Sequence, residues 1–403
     1  MTAFTNSNTR IFYATQAATL GAIGKTASPA DGWATGNVTQ AGVATLTHGV
    51  QSIGIDTNFN LEQAFELGQL SLYENIEDIP EISVSMQKYL DGYSLLYHLG
   101  ASYDGDSTVL GPTLTSLSGR ADTRADVRMV INATAEEAVT TTDSGVSELY
   151  CSGMYISSMS YTIPTDGTAT EDVSFVGNNK KWLTDDADGQ LVLINGSAGL
   201  DTAFAEIFGD DAPNYSTGHV LRREDVVTGT DTINGYQTVI PAIIEGVTQM
   251  AGSGFKSRTA TGAGILNTTN AHIQSFTCSV DLGRESINQL GTKTPYNRYV
   301  TFPTEVTSSL EVIAIAGDNV DALEDTRSNL SNHEICIALK DSTVIHLGKT
   351  NKISSITYGG GDAGGGNASI TYNFSNFNDM VVLHSGDPIR GSNTSTYWAD
   401  KFD

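Results

Sequence analysis

At 403 residues, the chain is about twice the size of a common compact domain, so two domains and a sizeable core are expected. Its formal net charge of −25 creates a field that repels phosphate and excludes a sequence-independent grip on nucleic acid through counterion release. Abundant Gly (41), scarce Pro (9) and a charged fraction of only 17% suit strands joined by tight turns better than long solvated helices, so the expected class is mainly β.

The first eight residues, Met1 to Asn8, are polar and uncharged, without the basic and apolar regions of a signal peptide. No apolar run approaches the roughly 18 residues needed to cross a bilayer. A protein made in a cytoplasm, with no membrane span, is the expectation.

Residues 50 to 58 alternate apolar and polar with one irregularity, which predicts a bulged strand with one buried face. Leu61 to Gly68 is read as a short helical turn stopped by Gly68, after which Ser71 to Tyr73 extend again. Glu81 to Gln87 alternate cleanly, so Ile82, Val84 and Met86 should share one side. Asp91-Gly92 turns the chain, and Tyr93 to Gly100 reads as a short apolar helix. Ser157 to Ile163 and Glu171 to Val176 flank Pro164-Thr165-Asp166-Gly167, in which Pro fixes φ and Gly supplies positive φ, the signature of a hairpin turn. Residues 184 to 264 find no partner elsewhere. They combine an acidic stretch with the apolar run Val239 to Ile244, read as part linker and part first strands of a second domain, mirroring Arg10 to Thr15.

The chain matches itself. At a constant offset of 223, Gln51-Ser52 falls on Gln274-Ser275, Glu62 on Glu285, Leu67-Gly68 on Leu290-Gly291, Tyr73 on Tyr296, Pro80 on Pro303 and Ser85 on Ser308. Ile156 to Tyr161 lies on Ile353 to Tyr358 at an offset of 197, and Val173-Ser174-Phe175 then lies on Ile370-Thr371-Tyr372 with no gap between. Asp122-Thr123-Arg124 against Asp325-Thr326-Arg327 is a further anchor. These blocks predict one β unit occurring twice, in domains of residues 1–190 and 191–403, each with a short helix. In the second copy the hairpin turn becomes the glycine-rich run Gly359 to Gly366. It lacks the Lys-Ser/Thr of a phosphate loop and the repeated Asp spacing of a calcium repeat, so it reads as a hairpin tip.

Val50 to Leu90 with its Gln-Ser, Leu-Gly, Tyr-Glu-Asn-Ile and Ile-Pro elements, the hairpin Ile156 to Asn178, and the stretch from Arg284 through Tyr296 to Phe302-Pro303 resemble phage major tail tube proteins, here with the tube domain tandemly duplicated. The resemblance covers about half of the chain. It implies β-sandwich or barrel domains that close with their neighbours into a ring-shaped β-barrel, rings stacked into a tube, and an acidic lumen that conducts DNA without binding it. It also implies virion localisation in the tail and partners such as tape measure and terminator proteins. Because such rings are six-fold arrays of one domain, a two-domain chain implies a trimeric pseudo-hexamer, with a hexamer as the alternative. The candidate ring or stacking contacts are Glu62, Leu67, Gly68, Tyr73 and Arg124 in the first copy, and Glu285, Leu290, Gly291, Tyr296 and Arg327 in the second. Glu62 and Glu285 are read as serving a repeated inter-domain contact, and the two arginines as bridging to acids across an interface.

No enzyme and no cofactor is expected. The seven histidines, His48, His98, His219, His272, His333, His346 and His384, show no pair at metal-ligand spacing, and no nucleophile elbow or Cys/His arrangement stands out. Asp104 and Asp106 could bind calcium or serve a glycosidase, but loop carboxylates of this kind are usually just solvated. Cys151, Cys278 and Cys336 lie far apart in strand-like apolar contexts and read as buried small hydrophobes, not a disulfide framework. The alternative function is a secreted or surface adhesin or S-layer-like protein, for which sequons such as Asn195-Gly196-Ser197 would matter.

Overall fold

The computed structural model describes residues 15–22, 45–46, 49–92, 95–100, 117, 125–132, 145–184, 219–244, 272–313, 332–360 and 367–384, with short gaps inside some of these ranges. The chain is mainly β. In its first part come β1 (Thr15–Ala22), β2 (Thr45–Leu46), β3 (Val50–Asn58), β4 (Leu61–Phe65), β5 (Leu72–Glu77), β6 (Glu81–Tyr89), the short helix α1 (Leu96–Gly100), β7 (Ala125–Asn132), β8 (Gly145–Pro164), β9 (Thr170–Gly177) and β10 (Asn179–Thr184). Next come β11 (Ile273–Asp281), β12 (Arg284–Ile287), β13 (Asn297–Val300), β14 (Glu305–Ile313), β15 (Cys336–Ala338), β16 (Val344–His346), β17 (Lys352–Gly359), β18 (Ser369–Phe377) and β19 (Val381–Leu383). All of the pairings between these strands are antiparallel, and among the described residues no sheet closes into a barrel.

The main sheet runs β3-β6-β9-β8-β11-β14-β18-β17. Period-two patterning explains it. Ile82, Val84 and Met86 are buried on β6 while Glu81, Ser83 and Ser85 are exposed, and β14 repeats the alternation with Val306, Leu310 and Val312 inside. The inner face packs into one large apolar cluster that includes Tyr161, Phe175, Tyr372 and Phe374, in a sandwich-like arrangement. β8 is long enough to serve two layers. Its second half pairs with β9 and β11 in the main sheet, and its first half pairs with β7 and β10.

The first four strands of the main sheet and the last four have the same order and the same irregularities. β3 pairs with β6 across a register shift between Val50 and Ser52, and β11 pairs with β14 across one between Ile273 and Ser275. β8 pairs with β9 across a shift between Ile156 and Ser158, and β17 pairs with β18 across one between Ile353 and Ser355. The hairpins β4·β5 and β12·β13 take the same place after the first strand, and β7-β8-β10 is matched by β15-β16-β19. Val239, in the apolar run before β11, bridges to Cys336 on β15, much as β1 lies along β7.

The pairing corrects three readings of the sequence. Residues 61–65 form a strand of a hairpin and not a helical turn, and Gly68 (φ +92°) serves that hairpin's turn. The ungapped offset of 223 ends at Pro80 and Pro303: Glu81 and Glu305 both open their strands, so one extra residue, Thr304, precedes β14. Ser85 consequently faces outward while Ser308 is buried, and their identity is not a structural equivalence. Between β17 and β18 the turn is two residues longer than between β8 and β9: Ile156 pairs with Phe175 and Ile353 with Phe374, so Phe175 corresponds to Phe374 and not to Tyr372.

A buried polar network sits under the sheet. Glu171 accepts hydrogen bonds from the backbone N–H groups of Leu96 (2.7 Å) and Tyr97 (3.0 Å), which opens α1, and from the Tyr161 hydroxyl (2.9 Å). Burial outweighs these bonds and raises its carboxyl above the usual range. Gly100 ends α1 where an added Cβ would lie 2.6 Å from the Phe175 ring, so close packing, not a turn, requires glycine there. Lys88 is fully buried and paired with Asp91, and the His98 ring bonds the Val382 carbonyl at 3.0 Å, tying α1 to β19. All three cysteines are buried, and none is in a disulfide. Among the described residues, no helix is long and apolar enough to cross a membrane. The expected boundary near residue 190, the short helix expected in the second copy, Asp104, Asp106, the three residues Asn195 to Ser197, and Arg10 to Ala14 lie outside the described residues.

Candidate assembly surface

The outward face of the main sheet is built from the alternate residues that leave the core. Hydroxyls dominate it, and neighbouring strands couple them: Thr277 Oγ1 lies 2.6 Å from Ser309 Oγ, and Ser279 Oγ lies 2.8 Å from Thr307 Oγ1. Six carboxylates stand among them, Asp56, Glu81, Asp172, Asp281, Glu305 and Glu311. Among the described strand residues of this face, Lys352 is the one cation, at the outer strand β17. Partial burial raises the Asp172 carboxyl, offset in part by a hydrogen bond from the Gln87 side chain. A wide, fixed, hydroxyl-rich surface with negative charge can stay wet and repel polyanions. Among the described residues no group of three or more His, Cys, Asp or Glu could hold a metal ion.

Two strand edges bound this face. β3 pairs only with β6 and β17 only with β18, so each leaves one row of backbone groups without a strand partner among the described residues. Each edge also carries exposed aromatic surface, Phe59 (61%) after β3 and Tyr358 (62%) on β17.

The two hairpins carry most of the contact residues expected from sequence. Leu67-Gly68 and Leu290-Gly291 form their turns, both glycines have positive φ, and both leucines are fully exposed. The hairpin backbones correspond over the pairs they share: Leu61 pairs with Glu77 and Gln63 with Asn75, as Arg284 pairs with Val300 and Ser286 with Arg298. Glu62 and Glu285 are exposed at matching positions on β4 and β12. Glu285 accepts a hydrogen bond from Tyr299 Oη at 2.7 Å on its own hairpin, a bond that raises the tyrosine's pKa. Tyr73 lies on β5; Arg124, Tyr296 and Arg327 lie outside the described residues.

Sequence reasoning missed the pair of arginines that holds β12·β13 to the earlier part of the chain. Arg284 donates from Nε to the Ile156 carbonyl at 2.7 Å and its guanidinium lies over the Tyr155 ring. Arg298, nearly buried, donates to Asn178 Oδ1 and Glu81 Oε2, each at 3.3 Å. Their signal was scarcity: in a chain with only 21 Lys and Arg, two arginines on one short hairpin point to partners. No family model matches the chain, and no curated protein is significantly similar to it.

Proposed function

We propose that this chain is a structural, non-enzymatic subunit of a phage tail tube, formed by tandem duplication of one tube domain. Three chains join into a pseudo-hexameric ring, and stacked rings enclose an acidic lumen through which DNA passes. The observation that carries the reading is the main sheet itself. Four strands are followed by four more in the same order, with bulges at matching places, and the composite sheet offers one polar acidic face and two edges without a strand partner among the described residues.

Each part of that arrangement suits a tube wall. Joining edges around an axis removes the unpaired strands that would otherwise invite aggregation. The outward hydroxyls and carboxylates then line the enclosed channel, where negative charge keeps a sliding polyanion from adhering. The paired hairpins expose Leu67 and Leu290 at their turns and suit contacts between rings, and a stacking contact repeated along the axis is open-ended, as a filament requires. Tape measure and terminator proteins of the tail would be the further partners.

Negative-stain electron microscopy of the purified chain, with native mass measurement of any particle, tests this. Hollow rings or tubes of one width and a three-chain ring are expected. Six chains per ring would remove the pseudo-hexamer, and a protein that stays monomeric across concentration and salt would remove the tube.

A further inference from the structure

We infer that a second copy of this chain docks edge to edge, β17 of one copy against β3 of the next, in the register already present inside the chain between β8 and β11. The inference deepens the tube reading and rests on it.

The internal junction supplies the template. Across it Tyr161 lies opposite Cys278, Met159 opposite Val280 and Ile163 opposite Phe276, all buried; Ser160 lies opposite Ser279 and Thr162 opposite Thr277 on the outward face. The Leu282 amide donates to the Ser157 carbonyl and the Thr165 amide to the Gln274 carbonyl, both at 2.8 Å, which makes the inward pairs the hydrogen-bonded ones and brings the outward pairs closer together. β17 stands to β18 as β8 stands to β9, and β3 stands to β6 as β11 stands to β14, bulges included. Carried over residue by residue, the register puts Tyr358 opposite Ile55 and Ile356 opposite Thr57 on the inner face. It puts Thr357 opposite Asp56 and Ser355 opposite Asn58 on the outer face. Apolar meets partly buried, and polar meets polar; a slip of one residue would reverse both faces.

Exposure marks the same two edges. Tyr161 is fully buried at the internal junction, whereas Tyr358 at the corresponding place is 62% exposed; Leu282 is fully buried, whereas Phe59 at its place is 61% exposed. Ile53 and Ile55 are half-buried where Phe276 and Cys278 are covered. Each free edge thus holds the residue that the internal junction buries, and the occupant that completes both edges at once is another copy of the chain.

The two seams are not equally strong. The arginines that clamp β12·β13 onto the preceding strands have Leu61 and Asn75 as their counterparts on β4·β5. The seam between copies therefore closes on Phe59, Leu61 and Tyr358 without counterparts of those two guanidinium groups, and the assembly comes apart into whole chains.

Disulfide trapping tests the register in the full chain. The native cysteines are all buried and do not compete. A variant carrying Asn58→Cys and Ser355→Cys places thiols across the seam at closely spaced positions, and mild oxidation is expected to link most chains into covalent multimers that reducing agent returns to monomers. Asp56→Cys with Thr357→Cys is a second pair with the same expectation. Ser52→Cys with Ser355→Cys separates the thiols by roughly 20 Å along the strands and is expected to give none. Rings or tubes in the microscope without cross-links from either matched pair would overturn the register and leave the tube reading standing. Monomers alone, by microscopy and by gel, would overturn both, and a cross-link from the mismatched pair only would show a different seam.

Discussion

The guanidinium of Arg298 reaches the carboxylate of Glu81, 217 residues earlier in the chain, at 3.3 Å. The arginine is nearly buried and the glutamate side chain half exposed, so the two ends of the pair are unequal. Glu81→Gln should cost less than about 1 kcal/mol, because its charge is already solvated. Arg298→Ala should cost about 1–3 kcal/mol, because it removes a nearly buried side chain together with its hydrogen bond to the part-buried Asn178. Urea unfolding of both variants checks the asymmetry.

Phe59 and Leu282 leave corresponding strands but live in opposite surroundings. Leu282→Ala should destabilise the isolated chain by about 2–5 kcal/mol through the cavity it leaves. Phe59→Ser should change that stability by no more than about 0.5 kcal/mol while lowering ring or tube yield at least tenfold. Thermal unfolding and sedimentation on the same samples separate the two effects.

Asp341 makes stability depend on pH. Burial raises its carboxyl to about 6 against hydrogen bonds from the Thr343 amide and hydroxyl and the nearby Lys88 charge, with Asp91 adding to the rise; His384 Nε2 lies 3.9 Å away. A folded-state pKa above the unfolded value means that the folded chain holds the proton more tightly. This group's contribution therefore falls as pH rises from about 4 to about 6, by at most about 3 kcal/mol. Asp341→Asn should flatten the stability profile in that window relative to the parent, read by chemical unfolding at half-unit pH steps.

Gly348 joins β16 to β17 with φ +75°, and a Cβ there would lie 1.8 Å from Asp379 Oδ2. Gly348→Ala combines a left-handed alanine with that collision and should cost about 2 kcal/mol or more. Gly68→Ala, at a hairpin turn with open space around it, should pay only the backbone part, about 1 kcal/mol. Melting temperatures of the pair give the difference.

Charge reversal on the outward face tests the lumen. Asp281 and Glu305 are exposed, so Asp281→Lys with Glu305→Lys should leave folding within about 1 kcal/mol of the parent. Assembled tubes of the variant should retain short duplex DNA at low salt and release it as salt rises, whereas parent tubes retain none. Filter retention across a salt series reads this out.

What the sequence disclosed depended on whether a strand has a dry side. β6 and the β8–β9 hairpin bury one face each, so alternation and Pro164-Thr165-Asp166-Gly167 revealed them directly. The β4·β5 hairpin has little buried surface. Leu61-Glu62-Gln63-Ala64-Phe65 therefore shows no period of two, and its helix-forming residues with a terminal glycine imitate a helix end. Identity at a constant offset found the matching segments but not the extra Thr304, because a letter match such as Ser85 with Ser308 carries no information about which face a side chain takes. The arginine clamp was invisible for another reason: Ile156, Asn178 and Glu81 lie more than a hundred residues from their partners, and only the β8·β11 pairing brings them near.

The twenty residues of β8 have a mechanical consequence. The strand is bonded on both flanks along its second half, to β9 and β11, and on both flanks along its first half, to β7 and β10. A pull along its length loads those rungs together in shear instead of peeling them one at a time. The middle of the molecule therefore behaves as a stiff spine, and compliance under bending falls to the outermost strands, where a hinge costs the fewest bonds.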